Sequence, residues 1–437
     1  MVDRGGDIKF NGGVGVPVGR CDDGVWPMKY ENREASAVGG EPGLGEFVAL
    51  MAFTMSLVAL SIDAMLPAFP EMARDLSVGG ANDIQLVISV LFVGMSIGQL
   101  LYGPLSDTIG RKPAMYLGFA LFIVGSLLCM VAQDFSVMLA GRFLQGFGAA
   151  GPRTVSVALV RDRFRGDEMA RVMSFIMTVF ILVPIFAPAL GQGILFLAEW
   201  RAIFGVLMGL AIMTFVWLAL RQPETLARDR RRPFTLAGVR TAFHEVLHNR
   251  LSMAYMLVTG CVFGTFLGYL NSCQQIFQEQ YGLGTQLPLY FGILAVAVGI
   301  AALLNSQMVM RFGMHALAKR ALFMMMLVSW LFLLLAWFHA GHPPLWQFMS
   351  MYFVLFFFIG VLFGNLNAII MEPLGHVAGT AASVVGTSTT VMAVVLGYLI
   401  GNAYNGSLMP MALGFGILST ICVWLTRTVR FPEERRS

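Results

Sequence analysis

Charged side chains are scarce in this sequence of 437 residues: Asp, Glu, Lys and Arg together make up 12%, whereas 57% of the residues are hydrophobic. A soluble domain carries roughly 25% charged residues, so a chain of this length could not cover a water-exposed surface with half that proportion. The scarcity of charge therefore excludes a soluble enzyme, a nucleic-acid-binding protein and a disordered scaffold. It leaves a polytopic membrane protein.

Cysteine and histidine are also few, and neither is placed for chemistry. The five cysteines are dispersed without a C-x-x-C pair, which predicts buried apolar side chains rather than a disulfide framework or a metal site. The six histidines all lie away from the centres of the apolar runs, so we expect no histidine proton relay. We predict no metal and no cofactor.

What the sequence does contain is a series of apolar runs that are long enough to cross a membrane. A helix needs ~20 residues to cross the hydrocarbon core. We predict twelve such spans, numbered 1 to 12 in chain order: 47–69, 84–104, 114–132, 136–160, 172–196, 202–220, 251–277, 286–308, 318–338, 345–370, 380–402 and 408–427. The predicted fold class is therefore an all-α membrane protein.

Polar segments divide these spans into two groups of six. Residues 221–250 are the only long polar stretch between spans, and they separate a first half, 47–220, from a second half, 251–427. Residues 1–46 hold eleven glycines and no apolar run of signal-peptide length, which predicts a flexible tail. Residues 428–437 form a second, short tail.

Positive charge lies on one side of the predicted membrane. Of the 29 Lys and Arg residues, 20 lie in or beside the loops after spans 2, 4, 6 and 8 or in the C-terminal tail, whereas Arg74 and Arg201 alone lie in the opposite loops. Lys and Arg are retained on the cytoplasmic side, so both termini and the linker are predicted to be cytoplasmic. Two six-helix halves joined by a basic linker are typical of secondary transporters, whose site lies between the halves.

Three charged side chains lie inside predicted spans and away from the helix ends, where each is a functional candidate because of its insertion cost, ~2.5–3.5 kcal/mol at a helix centre. Asp63 lies in span 1, and Arg142 and Arg153 lie in span 4. Asp63 and Arg142 are both expected roughly 10 Å below the outer surface, where opposite charges can pair or share a water-filled cavity. Arg153 lies about three turns further along span 4, on nearly the same face as Arg142 and Gln145.

A carboxylate at this depth suits proton coupling. Our hypothesis is that Asp63 carries the coupling proton or holds a cationic substrate, and that Arg142 tunes it. The alternative is a static ion pair between two helices.

The loop between spans 2 and 3 carries the most specific motif of the chain. Residues 103–113 read GPLSDTIGRKP, in which Gly103 allows a close helix approach and Gly110 permits a tight turn. Asp107 can accept a hydrogen bond from Arg111 or face the positive end of a helix dipole. Arg111 and Lys112 can also anchor the loop to anionic lipid.

This loop resembles the signature of the major facilitator superfamily, G-x-L-x-D-x-x-G-R-K. Residues 142–150, RFLQGFGAA, likewise resemble the R-F-x-Q-G-x-G-A-A motif of its proton-coupled drug antiporters, whose arginine is implicated in proton transfer. The region around Asp63 and Pro67 is similar to the bicyclomycin and chloramphenicol resistance branch. Together these matches cover about residues 47–427.

The resemblance implies a function and a set of residues. It implies a cytoplasmic latch, in which Arg111 bridges Asp107 to Asp162 and holds the outward-open state. It also implies export of small amphipathic molecules or drugs in exchange for protons, from the inner membrane of a bacterium; we expect a monomer. Span 5 departs from the antiporter motif G-P-x-x-G-G, because Ala187 and Gln192 stand where it has glycines.

Polar residues of the second half are weaker candidates for the substrate cavity. Asn271 in span 7 and Asn367 in span 10 are the two that we select, beside Gln274, Asn305 and Asn365. Interhelical hydrogen bonding is the other interpretation of each.

Three alternatives to drug export stay open. The chain could transport one particular metabolite by the same mechanism, or it could be a membrane sensor or a membrane-embedded enzyme. Against an enzyme, the spans contain no H-E-x-x-H motif and no serine nucleophile elbow. Against a sensor, neither tail is large enough for a signalling domain.

Overall fold

The computed structural model describes residues 42–80, 82–231 and 236–428. The predicted tails lie almost wholly outside these residues. Within them, each predicted span corresponds to one long helix. In order, the helices are Leu44–Asp63, Leu86–Ile109, Arg111–Val131, Phe135–Arg163, Gly166–Leu195, Arg201–Arg221, Arg250–Gln274, Leu287–Phe312, Met314–Phe338, Leu345–Met371, Ala378–Asn402 and Met409–Thr428. The all-α prediction is confirmed.

The helix of span 4 differs from the others in composition. Eleven helices in the described part of the chain are long and apolar enough to cross a membrane, and span 4 is not among them. Its 29 residues would nevertheless extend about 43 Å at 1.5 Å per residue. Arg142, Arg153 and a series of glycines lower its hydropathy. Composition alone therefore identifies span 4 as a membrane span less clearly than the other eleven.

Small residues let span 4 pack tightly against its neighbours. Span 4 lies mainly against spans 2 and 3, and also touches span 1. A side chain at Gly146 would place its Cβ 1.9 Å from the Leu91 carbonyl oxygen of span 2. Such glycines allow helix backbones to approach where lipid provides no hydrophobic driving force, and they fix span 4 in the interior of the first six helices.

The two groups of six helices meet along two pairs of spans. Span 2 packs against span 11, and span 5 packs against span 8. We call the end of the bundle with Trp200 and Tyr404 the outer end and the end with Asp107 and Asp162 the inner end, after the predicted orientation. The linker contains a helix, Leu236–His248, which packs against span 11 and span 7.

Span 1 is broken at its outer end, where the sequence predicted a continuous helix over 47–69. Its α-helix ends at Asp63, a 3-10 turn follows at Leu66–Ala68, and a short helix continues over Phe69–Asp75. Pro67 explains the break, because it has no N–H to donate to the Asp63 carbonyl four residues earlier and its ring would collide with that carbonyl. Span 7 touches this turn and itself ends in a π-helix, Gln275–Gln280.

Candidate functional site

Asp63 is the last residue of the span 1 helix and lies at the break. It is 5% exposed, and within the described part of the chain its carboxyl group has no hydrogen-bond or ion-pair partner. It lies close enough to Tyr269 and Cys273 of span 7 to interact electrostatically with both. The Tyr269 hydroxyl is also buried without a hydrogen-bond partner, so two unpaired polar groups face the junction of spans 1 and 7.

Arg142 is fully buried and binds the backbone of two other spans. Its Nη2 donates to the Ser61 carbonyl at 3.0 Å and its Nε donates to the Val87 carbonyl at 3.0 Å. The contact with Ser61 confirms that Arg142 and Asp63 lie at similar depth. Among the described residues, however, no ion pair joins Arg142 to Asp63, so the static ion pair that was the alternative interpretation is not formed. The guanidinium binds neutral carbonyl oxygens instead, that of Ser61 in the last turn of the span 1 helix and that of Val87 in span 2.

Gln145 connects Arg142 to span 3. The Arg142 Nη1 donates to the Gln145 side-chain oxygen, and the Gln145 amide donates to the Ser126 hydroxyl at 2.8 Å. The Ser126 hydroxyl donates to the Phe122 carbonyl at 2.8 Å. This buried chain fixes the rotamer of Arg142, so the guanidinium holds spans 1, 2, 3 and 4 together.

The latch residues meet at the inner end as the motif implies. Arg111 donates to Asp162 at 2.9 Å and to Asp107 at 2.5 Å, and also to the Ser106 hydroxyl at 2.7 Å. Gly110 has a φ of +109°, which favours glycine. The latch therefore joins the loop between spans 2 and 3 to the end of span 4.

Gly103, by contrast, lies at a contact between the two halves. A Cβ at Gly103 would lie 2.6 Å from the Ser383 hydroxyl oxygen of span 11. The close helix approach expected at this glycine is therefore made with the second half of the chain.

Glu224 and Thr225 of the linker complete the latch, and sequence reasoning missed both. Glu224 accepts hydrogen bonds from the backbone N–H groups of Arg111 and Lys112, each at 3.0 Å. Thr225 donates to Asp162 at 3.0 Å. Free N–H groups and the helix dipole favour a carboxylate at the start of span 3. The available signal was an acidic residue immediately after span 6, opposite a helix start that no local side chain caps.

Three amide side chains join the halves at the outer end, and we call them the amide chain: Asn82, Gln85 and Gln275. Gln85 donates to Gln275 at 2.7 Å and to the Gly401 carbonyl at 3.2 Å. Gln275 donates to Asn82 at 2.8 Å. Asn82 in turn donates to the Asn402 and Tyr404 carbonyls at 2.9 and 3.0 Å. The chain closes this end between spans 2, 7 and 11.

Tyr404 lies beside the amide chain, beyond the end of span 11. Burial raises the pKa of its hydroxyl to about 12, so the hydroxyl is neutral at pH 7. The latch is thus formed while the outer end is closed, and its ion pairs by themselves do not define an outward-open conformation.

The weaker candidates for the substrate cavity, all in the second half, differ in their surroundings. Asn271 is buried and donates to the Ser89 hydroxyl of span 2 at 3.4 Å, which is a contact between the halves. Asn365 donates to Asn305 at 2.7 Å, an interhelical bond. Asn367, in the inner part of span 10, is exposed and remains a cavity candidate.

A known protein family matches this chain in sequence. A sequence model of the Major Facilitator Superfamily matches residues 51–397. The chain belongs to this superfamily.

Curated members of the superfamily are similar over most of the chain. An uncharacterised MFS-type transporter of Bacillus subtilis, YdgK, is 32% identical over 361 residues, covering 80% of this chain and 88% of YdgK. The bicyclomycin resistance protein homolog of Haemophilus influenzae is 30% identical over 386 residues, 86% of this chain and 94% of the homolog. The multidrug resistance protein MdtL of Klebsiella pneumoniae is 33% identical over a shorter region, 53% of this chain and 59% of MdtL.

Solved structures of the superfamily share the fold. The human organic anion transporter MFSD10 (TETRAN) matches with a TM-score of 0.65 at 17% identity, covering 89% of this chain and all of that one. The Escherichia coli xylose transporter XylE, in a partially occluded inward-open conformation, matches with a TM-score of 0.66 at 12% identity, covering 88% of this chain and 97% of XylE. At these identities the match shows the major facilitator fold alone.

Proposed function

We propose that the protein is a proton-coupled transporter that exports small amphipathic molecules, drugs among them, by alternating access. Two curated relatives, one matched over most of the chain and one over about half of it, are named for resistance to bicyclomycin or to several drugs. The observation that carries the proposal is Asp63, a buried carboxyl group without a partner at the junction of spans 1 and 7.

An unpaired carboxyl group can exchange its proton more readily than one in an ion pair. No salt bridge has to be broken when Asp63 gains a proton from the outer side or releases one inward. Arg142 holds the Ser61 carbonyl, two residues before Asp63, so it positions the end of span 1. Protonation at Asp63 and movement of the break are thereby coupled through a short piece of backbone.

The surroundings of Asp63 suit an amphipathic cation. Tyr269 packs against Phe356 with ring centroids 4.7 Å apart and lies 6.2 Å from the Tyr352 ring. Aromatic faces attract organic cations, and the carboxylate supplies the compensating charge. When a cation approaches, Asp63 would release its proton, so that drug and proton occupy the site in turn.

We place the transporter in the inner membrane of a bacterium, as a monomer, with both termini in the cytoplasm. The curated relatives are bacterial, and the distribution of Lys and Arg favours this orientation. The substrates are small molecules and protons. The six-helix halves, 47–220 and 251–427, would move against each other around Asp63.

Asp63→Asn in proteoliposomes tests the proposal. With an acidic lumen, the wild-type protein should take up the fluorescent cation ethidium while lumenal protons leave. Asn cannot carry a proton, so this variant should lose the pH-driven component, whereas Asp63→Glu should keep part of it. Asp229→Asn, which changes an exposed linker carboxylate, should behave as wild type.

The controls separate the alternatives. If Asp63→Asn keeps pH-driven uptake, Asp63 does not carry the coupling proton. A transporter of one metabolite would couple a single compound to the pH gradient and leave ethidium, chloramphenicol and other unrelated drugs unmoved. A sensor would move no tested solute.

A further inference from the structure

Among the described residues, Arg153 is the one charged side chain away from the helix ends of spans 1–12 that neither the proton site nor the latch uses. Its Nη1 donates to the Met95 sulfur of span 2 at 3.6 Å. Among the described residues, it has no other hydrogen bond and no carboxylate partner. A guanidinium has five N–H donors, and a thioether is a weak acceptor, so most of its hydrogen-bonding capacity is unused.

The side chain of Arg153 lies near the middle of the membrane. Arg153 follows Arg142 by eleven residues, about three turns, and helix side chains tilt toward the N-terminus, which is the outer end for span 4. Its partner Met95 is the tenth residue of the span 2 helix. The next carbonyl, that of Ser96, accepts a hydrogen bond from Thr387 of span 11 at 3.0 Å. Arg153 therefore lies close to where the halves meet.

The neighbouring arginine shows what a fully hydrogen-bonded arginine looks like in this helix. Arg142 is 0% exposed and donates to two carbonyls and an amide oxygen. Arg153, on the same face, is partly exposed although span 4 is covered by spans 1, 2 and 3. Its partner Met95 is one residue from Ser96, where span 2 contacts span 11, so the partly exposed side chain lies beside the interface between the halves.

We propose that Arg153 binds the oxyanion of a transported compound, most readily a carboxylate. A guanidinium matches a carboxylate with two parallel hydrogen bonds, and among the described residues the remaining donors of Arg153 have no acceptor. Asp63 would bind cationic groups about three turns nearer the outer end. This inference rests on the proposed transport function and deepens it, because zwitterionic and anionic amphiphiles then join cations as substrates.

A matched pair of ligands tests the proposal. Norfloxacin has an ammonium and a carboxylate, and its ethyl ester keeps the ammonium without the carboxylate. Binding of both is measured by quinolone fluorescence on the purified full chain, and pH-driven uptake is measured in proteoliposomes of phosphatidylcholine, so that no anionic lipid headgroup competes. The variants are Arg153→Gln and Arg153→Lys, with the exposed Arg161→Gln of the same helix as the control.

We expect Arg153→Gln to raise the Kd and the KM for norfloxacin at least about tenfold, the loss expected for a charge-assisted pair, while both values for the ester stay within twofold. Arg153→Lys should lie between, because it keeps the charge without the paired donors. Arg161→Gln should match the wild type.

Several results would overturn the inference. One is an equal change for norfloxacin and its ester, another is no change, and a third is no norfloxacin binding by the wild type. If pH-driven ethidium uptake persists in that third case, only the oxyanion site fails. If the wild type binds norfloxacin through Arg153 but drives no solute with the pH gradient, the proposed function fails and the binding site stands.

Discussion

At the scale of single residues, span 4 contains two arginines inside the membrane whose partners give them different roles. Arg142 has oxygen acceptors on three of its nitrogens, so its charge is compensated by the fold itself. In the described part of the chain, the Met95 sulfur is the only hydrogen-bond acceptor of Arg153. Burying a polar group is costly unless it is hydrogen-bonded. Arg142 is hydrogen-bonded and stabilises the helix packing, whereas the unused donors of Arg153 can bind a ligand.

Arg142→Ala should therefore destabilise the protein as well as inactivate it. The change removes the donors from the Ser61 and Val87 carbonyls and from the Gln145 side chain, and hydrogen bonds to a charged group contribute about 1.5–3 kcal/mol each. We expect the free energy of unfolding to fall by about 2 kcal/mol or more, measured by denaturation in detergent.

The matched comparison for this prediction is Arg153→Ala, which removes one weak contact. It should leave the denaturation midpoint near that of the wild type. If the two variants lose equal stability, Arg142 does not have the packing role that its hydrogen bonds indicate.

At the scale of helices, the break in span 1 is held by one glycine of span 5. A Cβ at Gly191 would lie 1.7 Å from the Ala64 carbonyl oxygen, immediately after Asp63. Gly191 is the glycine that remains where Ala187 and Gln192 depart from the antiporter motif. Gly191 thus preserves the close packing of span 5 against the break in span 1, next to Asp63.

Gly191→Ala should shift the break and impair transport. The new methyl group must displace the Ala64 backbone, and overpacking of this kind costs about 1–3 kcal/mol. Gly193→Ala is the control on the same helix, because a Cβ there meets nothing within 4 Å and alanine favours a helix. We expect pH-driven uptake and thermal stability to fall for the first variant only. Equal behaviour of the two would contradict the contact.

The helices could be predicted from sequence far better than the contacts of their polar residues. Apolar runs locate each span, because length and hydropathy are local properties. Pro67 is the sequence signal for the break at Asp63. It lies inside an apolar run, however, so a continuous helix was predicted. The depth of each residue along its helix predicted that Asp63 and Arg142 lie at the same level. It could not predict that Arg142 would donate its hydrogen bonds to backbone carbonyls. Glu224 was missed because its partners lie more than a hundred residues away.

At the scale of the whole molecule, polar contacts hold opposite ends of the bundle. The latch at the inner end lies within the first half and its adjoining linker, whereas the amide chain at the outer end crosses between the halves. Alternating access requires the outer contacts to break while each half keeps its own shape. Neutral amides suit this task, because they can exchange their partners for water without exposing an unpaired charge.

Gln275→Leu should therefore favour an open outer end. It removes one of the two acceptors of the Gln85 amide and the hydrogen bond that the Asn82 side-chain oxygen accepts. A buried polar group that loses its partner costs about 1–3 kcal/mol, a penalty that water entry would relieve. Spin labels at Ser77 and Ala403, both exposed at the outer end on different halves, report this by electron–electron resonance. We expect a larger population at long distances than in the wild type.

Gln286→Leu is the control for this shift. Gln286 is also an amide near the outer end, but its side chain is exposed, so its replacement should leave the distance distribution unchanged. A wild-type distribution for Gln275→Leu would show that the amide chain does not determine the closure. A shift that also appears in Gln286→Leu would mean that added apolar surface, rather than the lost hydrogen bonds, opens this end. A shift confined to Gln275→Leu ties the closed outer end to hydrogen bonds between spans 2 and 7, beside the broken end of span 1 that carries Asp63.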